Sequence, residues 1–211
     1  MITQLSTMLD MQDAMNTRVN ASWREQHYPW YRAIWTECAE LMEHYGWKWW
    51  KKQSPDLDQV KLELVDIWHF GLSIRLQSGT DAAVVANEIA AELAGQDRDG
   101  EFRDVLERFT LHTLQRKSFD VPLFARLMAA VEMDFEELYV RYMGKNVLNF
   151  FRQDHGYQDG SYTKNWRGRE DNEHLVDIVA GLDATSHSFK DDIYQSLKTR
   201  YQEAMLGVTS A

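Results

Sequence analysis

The chain has 211 residues, 44% of them apolar, with 8 Trp, 9 Tyr, 9 Phe and only 3 Pro, a composition that excludes a largely disordered protein because it can build a substantial core. The formal charge is −10, from 33 acidic and 23 basic residues. That argues against a surface that wraps nucleic acid or lies on an anionic membrane, while leaving room for a local basic pocket.

Thr3, Gln4 and Asp10 interrupt the first apolar residues before a signal core can form. No stretch nears the roughly 18 apolar residues of a membrane span, and the single Cys38 cannot close an intramolecular disulfide. The expectation is a soluble, cytoplasmic protein.

Apolar residues at helical spacing (Leu5, Met8, Leu9, Met11, Met15, Val19) predict an amphipathic helix over about 3–20. A second helix runs from Pro29, suited to a first turn, to a stop at Gly46. Ser54-Pro55 opens a third, reaching about Gly79, and Thr80 caps a fourth, Ala-rich one ending near Gly95. Another covers about 101–117 and a shorter one follows Asp120. Asp134, with Glu137 three residues on, has the form of a capping box for a helix ending near Arg152. Residues 154–172, punctuated by Gly156, Gly160 and Gly168, read as a loop, ordered for function or disordered, and Asn172 to about Met205 read as helix again. No repeat and no strand alternation is visible. The expected fold is all-α: a helical bundle with two antiparallel carboxylate-bearing helices. Residues 1–79 and 132–211 would form its core, and 80–131 a smaller helical insert or mobile subdomain.

The chemistry concentrates in two places. Glu37 with Glu40, and Glu63 with Asp66, are carboxylate pairs at i,i+3, so each pair shares a helix face. A lone pair of this kind is usually solvated surface. Around Glu63 and Asp66, however, the sequence Lys61-Leu62-Glu63-Leu64-Val65-Asp66-Ile67-Trp68-His69-Phe70 is apolar on nearly every side, which describes a buried helix. Unpaired carboxylates inside would be driven to protonate. If the two helices pack face to face, four acidic groups converge, and hard oxygen donors select Mg²⁺ or Mn²⁺. No Cys cluster or HExxH pattern favours zinc. An iron site is the alternative, since Glu40-x-x-Glu43-His44 and Asp66-x-x-His69 approach the Glu-x-x-His pattern.

The second place is Gly144–Tyr157 and its continuation Gly160–Asn172, where Lys145, Arg152, Lys164, Arg167 and Arg169 stand among Tyr, Asn and Gly in an otherwise acidic protein. Lys supplies point charges and Arg a bidentate fork for phosphate oxygens. Lys145, Asn149 and Arg152 fall on one helix face. Metal ions from one cluster and cations from the other would together neutralise a polyphosphate.

These residues resemble the dimeric, all-helical dUTP pyrophosphatases, within the wider group of all-alpha nucleotide pyrophosphohydrolases that includes the MazG-like proteins. Glu37-x-x-Glu40 and Glu63-x-x-Asp66 resemble the metal signature of the whole group. Gly144-Lys-Asn-x-Leu-Asn-x-Phe-Arg-Gln-Asp-x-Gly-Tyr157, Gly160-x-Tyr-x-Lys-x-Trp166 and Gly168-Arg-Glu-Asp-Asn172 carry the narrower match, joined by Trp47-Lys-Trp-Trp-Lys51 and Leu9-x-x-Gln12-x-x-x-Asn16. Met15 stands where Leu is expected before Asn.

The resemblance implies that Glu37, Glu40, Glu63 and Asp66 hold two or three Mg²⁺, with Mn²⁺ possible as a substitute. It implies that Lys145, Arg152, Tyr157, Lys164, Arg169 and Asn172 contact phosphates. Gln12 and Asn16 would read the uracil edge, Trp49 and Phe70 would enclose base and deoxyribose, and Asn149 would lie near the nucleoside. The implied reaction converts dUTP to dUMP and pyrophosphate, with dUDP also accepted, in a homodimer. Glu37 and Glu40 would be catalytic, Glu40 accepting the proton of the attacking water. The alternative is a pyrophosphohydrolase for dCTP or several nucleotides, because amides can pair either pyrimidine edge. A non-catalytic nucleotide- or metal-binding protein is a third reading. Taken singly, Trp49 and Phe70 would read as core aromatics, His69 as a satisfied core histidine, and Met8, Met11 and Met15 as packing.

Overall fold

A computed structural model describes residues 1–94 and 100–208. The chain divides into two compact units, Met1–Tyr139 and Val140–Ala211. Among the described residues the regular structure is helical except for one ribbon of two two-residue strands, so the all-α expectation holds. Among the described residues, no helix is long and apolar enough to cross a membrane.

The first unit contains α1 (Ile2–Val19), α2 (Trp30–Tyr45), α3 (Leu57–Leu76), α4 (Ala82–Leu93), α5 (Phe102–Arg116), α6 (Val121–Ala130) and the start of α7 (Phe135–Asp154). α3 is its axis. Val60, Leu62, Leu64, Val65, Ile67, Trp68, Leu72 and Leu76 are all buried, as a helix apolar all round must be. Each such side chain contributes roughly 1.5–3 kcal/mol on leaving water. Trp68 stacks on Phe124 at 5.2 Å and meets Phe119 edge-on at 5.7 Å. Gly71 is what lets Phe119 approach, since a Cβ there would stand 2.6 Å from the ring. α2 lies along α3, α1 packs on α3 and α4, and α5 packs on α2 and α6.

The helix boundaries follow capping chemistry. Gly46 ends α2 at φ +90°, a conformation that favours glycine. α3 starts later than Ser54-Pro55 suggests, because the Asp56 carboxylate accepts from the Gln59 amide, and it stops at Leu76, short of Gly79. α4 is capped by Asp81, not Thr80, with Asp81 Oδ1 accepting from Ala83 N at 2.8 Å; Thr80 instead pairs its hydroxyl with Ser78. Gly95, the expected end of α4, lies outside the described residues. Glu101, Asp120 and Asp134 cap α5, α6 and α7 by accepting from the backbone amide of the second or third residue of each helix.

The second unit holds the rest of α7, a ribbon of β1 (Asn165–Trp166) and β2 (Arg169–Glu170), α8 (Asp171–Ala180) and α9 (Phe189–Val208). The ribbon pairs Asn165 with Glu170 and Trp166 with Arg169. Arg167 and Gly168 both take positive φ at its tip, the geometry of a tight hairpin turn. Two residues per strand are too few for alternation to signal. Phe151, Tyr162, Trp166 and Tyr201 form the aromatic core, with Tyr162 stacked on Tyr201 at 5.4 Å and Phe151 edge-on to Tyr201 at 5.6 Å. Gly156 makes the loop possible: at φ +87° a Cβ would fall 1.9 Å from Ser161 Oγ. The tail is two helices, because Gly181 ends α8 and the Asp183 and Ser186 side chains accept from the Thr185 and Ser188 backbone amides, with the Thr185 hydroxyl also donating to Asp183 Oδ1, before α9 begins.

Candidate functional site

α2 and α3 bring Glu37, Glu63 and Asp66 together, with one carboxylate oxygen from each within 4.8 Å of the others. Glu63 is buried, and Glu37 and Asp66 are partly so. The cost of this convergence shows in Glu37. Burial, then the charges of Asp66, Glu63 and Glu40, and a hydrogen bond with Glu63 push its carboxyl from 4.5 up to about 9. A carboxyl in that state holds a proton at neutral pH, and a divalent cation would relieve the same repulsion by displacing it. Three clustered carboxylates are hard oxygen donors that fit Mg²⁺ or Mn²⁺.

Glu40 is exposed and is not one of the converging three, although its charge acts on Glu37. Glu43 points elsewhere and pairs with Lys48 and, at 2.6 Å, with Trp47 Nε1. His44 Nε2 lies 3.6 Å from Glu63 Oε1, whereas His69 turns its Nδ1 to Gln12 Oε1 at 2.6 Å.

That last contact belongs to a buried polar knot between α1 and α3. Gln12 Nε2 donates to Asn16 Oδ1 at 3.0 Å and to Ser73 Oγ at 3.1 Å, and Asn16 Nδ2 donates to Ser73 Oγ at 3.0 Å. Ser73 in turn donates to the His69 carbonyl at 3.0 Å. Gln12, Asn16, His69 and Ser73 are each at most 5% exposed. One hydroxyl thus fixes the orientation of both amides, and amides in a low-dielectric surrounding discriminate sharply between hydrogen-bonding partners.

Phe70 stacks with Trp30 at 6.2 Å, and the Trp30 indole N–H is buried with no hydrogen-bond partner. Trp49 is placed differently from a pocket wall: it is 90% exposed and its ring neighbour is Trp50, edge-on at 5.3 Å.

In the second unit, α7, the loop after it and the start of α8 gather five of the six residues expected to contact phosphate. Lys145 Nζ donates to Asn172 Oδ1 at 2.9 Å, and Arg152 Nη2 reaches the same oxygen at 3.3 Å. Two cations lie over the Tyr157 ring, with Arg152 Cζ at 5.7 Å and Lys164 Nζ at 5.6 Å from the centroid. Asn149 Oδ1 accepts from Arg152 Nη1 at 3.4 Å. Arg169 is the exception, paired with Asp177 at 2.8 Å and Glu173 at 3.6 Å on α8.

Sequence reasoning assigned no role to Asp171, Tyr162 or Ser73. Asp171 is fully buried and receives Arg152 Nε and Nη2, each at 2.8 Å, and the Tyr162 hydroxyl, also at 2.8 Å. Burial pushes its carboxyl up, but the Arg152 hydrogen bonds and charge, with Tyr162 and Lys145 adding, win and hold it below the ordinary value. The clue available was Asp171 standing one residue before Asn172. Ser73 had no signal beyond lying one turn from His69.

No curated protein matches the chain. A family model described as dUTPase matches it over residues 4–157.

Proposed function

The chain belongs to the all-alpha dUTPase family, and on that premise we propose that it hydrolyses dUTP to dUMP and pyrophosphate, accepts dUDP, and depends on Mg²⁺. The observation that carries this reading is the convergence of Glu37, Glu63 and Asp66 within 4.8 Å inside the family-matched segment. Those three carboxylates would hold the metal, with Glu40 as the fourth donor at the exposed edge. Bound divalent ions supply Lewis acidity and lower the pKa of a coordinated water.

The chain's own residues carry the rest. Glu40 is exposed and is assigned the proton of the attacking water, a general-base role. Lys145, Arg152, Lys164 and Tyr157 stabilise charge on the phosphate oxygens as it develops. Arg169, held by Asp177, reaches phosphate only by exchanging that partner. Gln12 and Asn16 read the base edge with their amides held by Ser73 and His69. Phe70, backed by Trp30, offers the apolar surface for base or deoxyribose, and Trp49 would have to swing in from solvent to join it. The protein acts as a homodimer in the cytoplasm and binds neither nucleic acid nor membrane.

A preference for dCTP or several nucleotides is the competing reading, because a Gln–Asn amide pair can meet either pyrimidine edge. Pyrophosphate release across the eight common nucleoside triphosphates, with and without Mg²⁺, tests both. Selective, Mg²⁺-dependent release from dUTP is expected; equal turnover of dCTP would favour the competitor, and no release from any nucleotide would leave only a binding role.

A further inference from the structure

We propose that Asp171 is the positioning residue of the phosphate-contacting cluster: its buried carboxylate sets the Arg152 guanidinium, and its main chain sets Lys164, in the arrangement that receives a polyphosphate. The inference rests on the reading of Arg152 and Lys164 as phosphate contacts.

Three observations support it. First, the Arg152–Asp171 pair is a fork with two separate bonds, Nε to Oδ2 and Nη2 to Oδ1, each 2.8 Å. A fork removes the rotational freedom of the guanidinium, which a single contact would leave. Second, the carboxylate is filled from a third direction by the Tyr162 hydroxyl at 2.8 Å. It has no exposure to water, so its orientation is fixed from both sides. Third, the Asp171 amide donates to the Lys164 carbonyl at 2.9 Å, and the next residue, Asn172, takes Lys145 at 2.9 Å and Arg152 at 3.3 Å.

Two adjacent residues at the start of α8 therefore hold cations that come from two other parts of the chain. Fixing a cation before substrate arrives removes part of the ordering cost of binding. A pair serving only to hold the fold together could be replaced by apolar residues at little loss; one that aims a cation could not.

The test uses the full chain with Mg²⁺. Asp171→Asn keeps the volume but offers no second acceptor oxygen for Arg152. It should raise the Michaelis constant for dUTP at least about tenfold, the size of one lost charge-assisted contact, while the affinity for deoxyuridine, which has no phosphate, changes less than about twofold. Arg152→Lys tests the underlying reading separately. A normal Michaelis constant in Arg152→Lys would remove the phosphate role itself, whereas an impaired Arg152→Lys beside a normal Asp171→Asn would overturn the positioning role alone. The double variant should be no worse than Arg152→Lys, because Asp171 acts through Arg152; additive losses would count against the proposal. Should Asp171→Asn not fold, hydrogen exchange at Arg152 Nε in the unaltered protein decides the matter. Protection both without and with a non-hydrolysable dUTP analogue supports the proposal, and protection lost on adding the analogue overturns it.

Discussion

Arg103 donates from Nε and Nη2 to the carbonyl oxygen of Gly46, at 2.8 and 2.6 Å, while its guanidinium lies 4.9 Å from the Tyr45 ring centroid. Gly46 terminates the helix that carries Glu37, and the last carbonyls of a helix lack partners within it. The α5 cation supplies one and also complements the negative end of the helix. Phe102, its neighbour, stacks on Tyr45 at 4.1 Å. Arg103→Ala should therefore lower unfolding free energy by about 1–2 kcal/mol, the low end for hydrogen bonds to a charged group because the side chain is partly exposed. Urea denaturation with an unchanged slope would measure it. A loss under about 0.3 kcal/mol would mean that the contact contributes nothing net.

Glu37 gives the pH dependence. Its carboxyl is pushed from 4.5 up to about 9, so the folded, metal-free chain keeps a proton that the unfolded chain releases. The unfolded state binds fewer protons across that window, and this group's contribution to stability falls as pH rises from about 4.5 through about 9. Mg²⁺ needs the ionised form, so binding at neutral pH should release close to one proton and tighten as pH rises. Calorimetric titration of Mg²⁺ in two buffers of different ionisation enthalpy reads that proton directly. The same heat in both buffers would contradict the assignment, and Glu37→Gln should flatten the stability profile.

Long helices with apolar residues at helical spacing were legible from residue order alone: α1, α2 and α7 fall within a few residues of their expected spans. The apolar wrap around Glu63 correctly marked α3 as interior. What was not legible depended on contacts distant in sequence. Asp81 outcompetes Thr80 because its carboxylate reaches the Ala83 amide. The exposure of Glu40 beside a partly buried Glu37 is a matter of how α2 is rotated against α3, and i,i+3 spacing fixes a shared face without saying which member points inward. Asp171 read as one more charge in a polar loop, because only the fold brings Arg152 and Tyr162 to it. The same holds for Ser73, whose partners lie 57 and 61 residues away.

Ser73→Ala tests the amide knot. Ser73 Oγ accepts from Gln12 and Asn16 and donates to the His69 carbonyl, so its removal leaves two buried amide donors each short of a bond. The expected loss of stability is about 1–3 kcal/mol. The functional effect should be on selectivity: with the amides free to turn, the ratio of kcat/KM for dUTP over dCTP should fall at least about tenfold, since a site that rejects by unpaired hydrogen bonds loses its discrimination when those groups can rearrange. A destabilised variant with the same ratio would show that the knot supports the fold and reads nothing.

Glu40→Gln separates proton transfer from metal binding. Glu40 is exposed and lies outside the three converging carboxylates, so the substitution should leave the thermal midpoint within a degree or two, in line with surface changes of under about 0.5 kcal/mol. Turnover should nevertheless fall at least about a hundredfold, the lower range for a lost general base. Glu63→Gln should behave in the opposite way, because that side chain is buried among the other two acids: Mg²⁺ affinity weakens, and raising the Mg²⁺ concentration restores part of the rate. If excess Mg²⁺ rescued Glu40→Gln to the same degree as Glu63→Gln, Glu40 would be a ligand only, and the proton of the attacking water would have to go elsewhere.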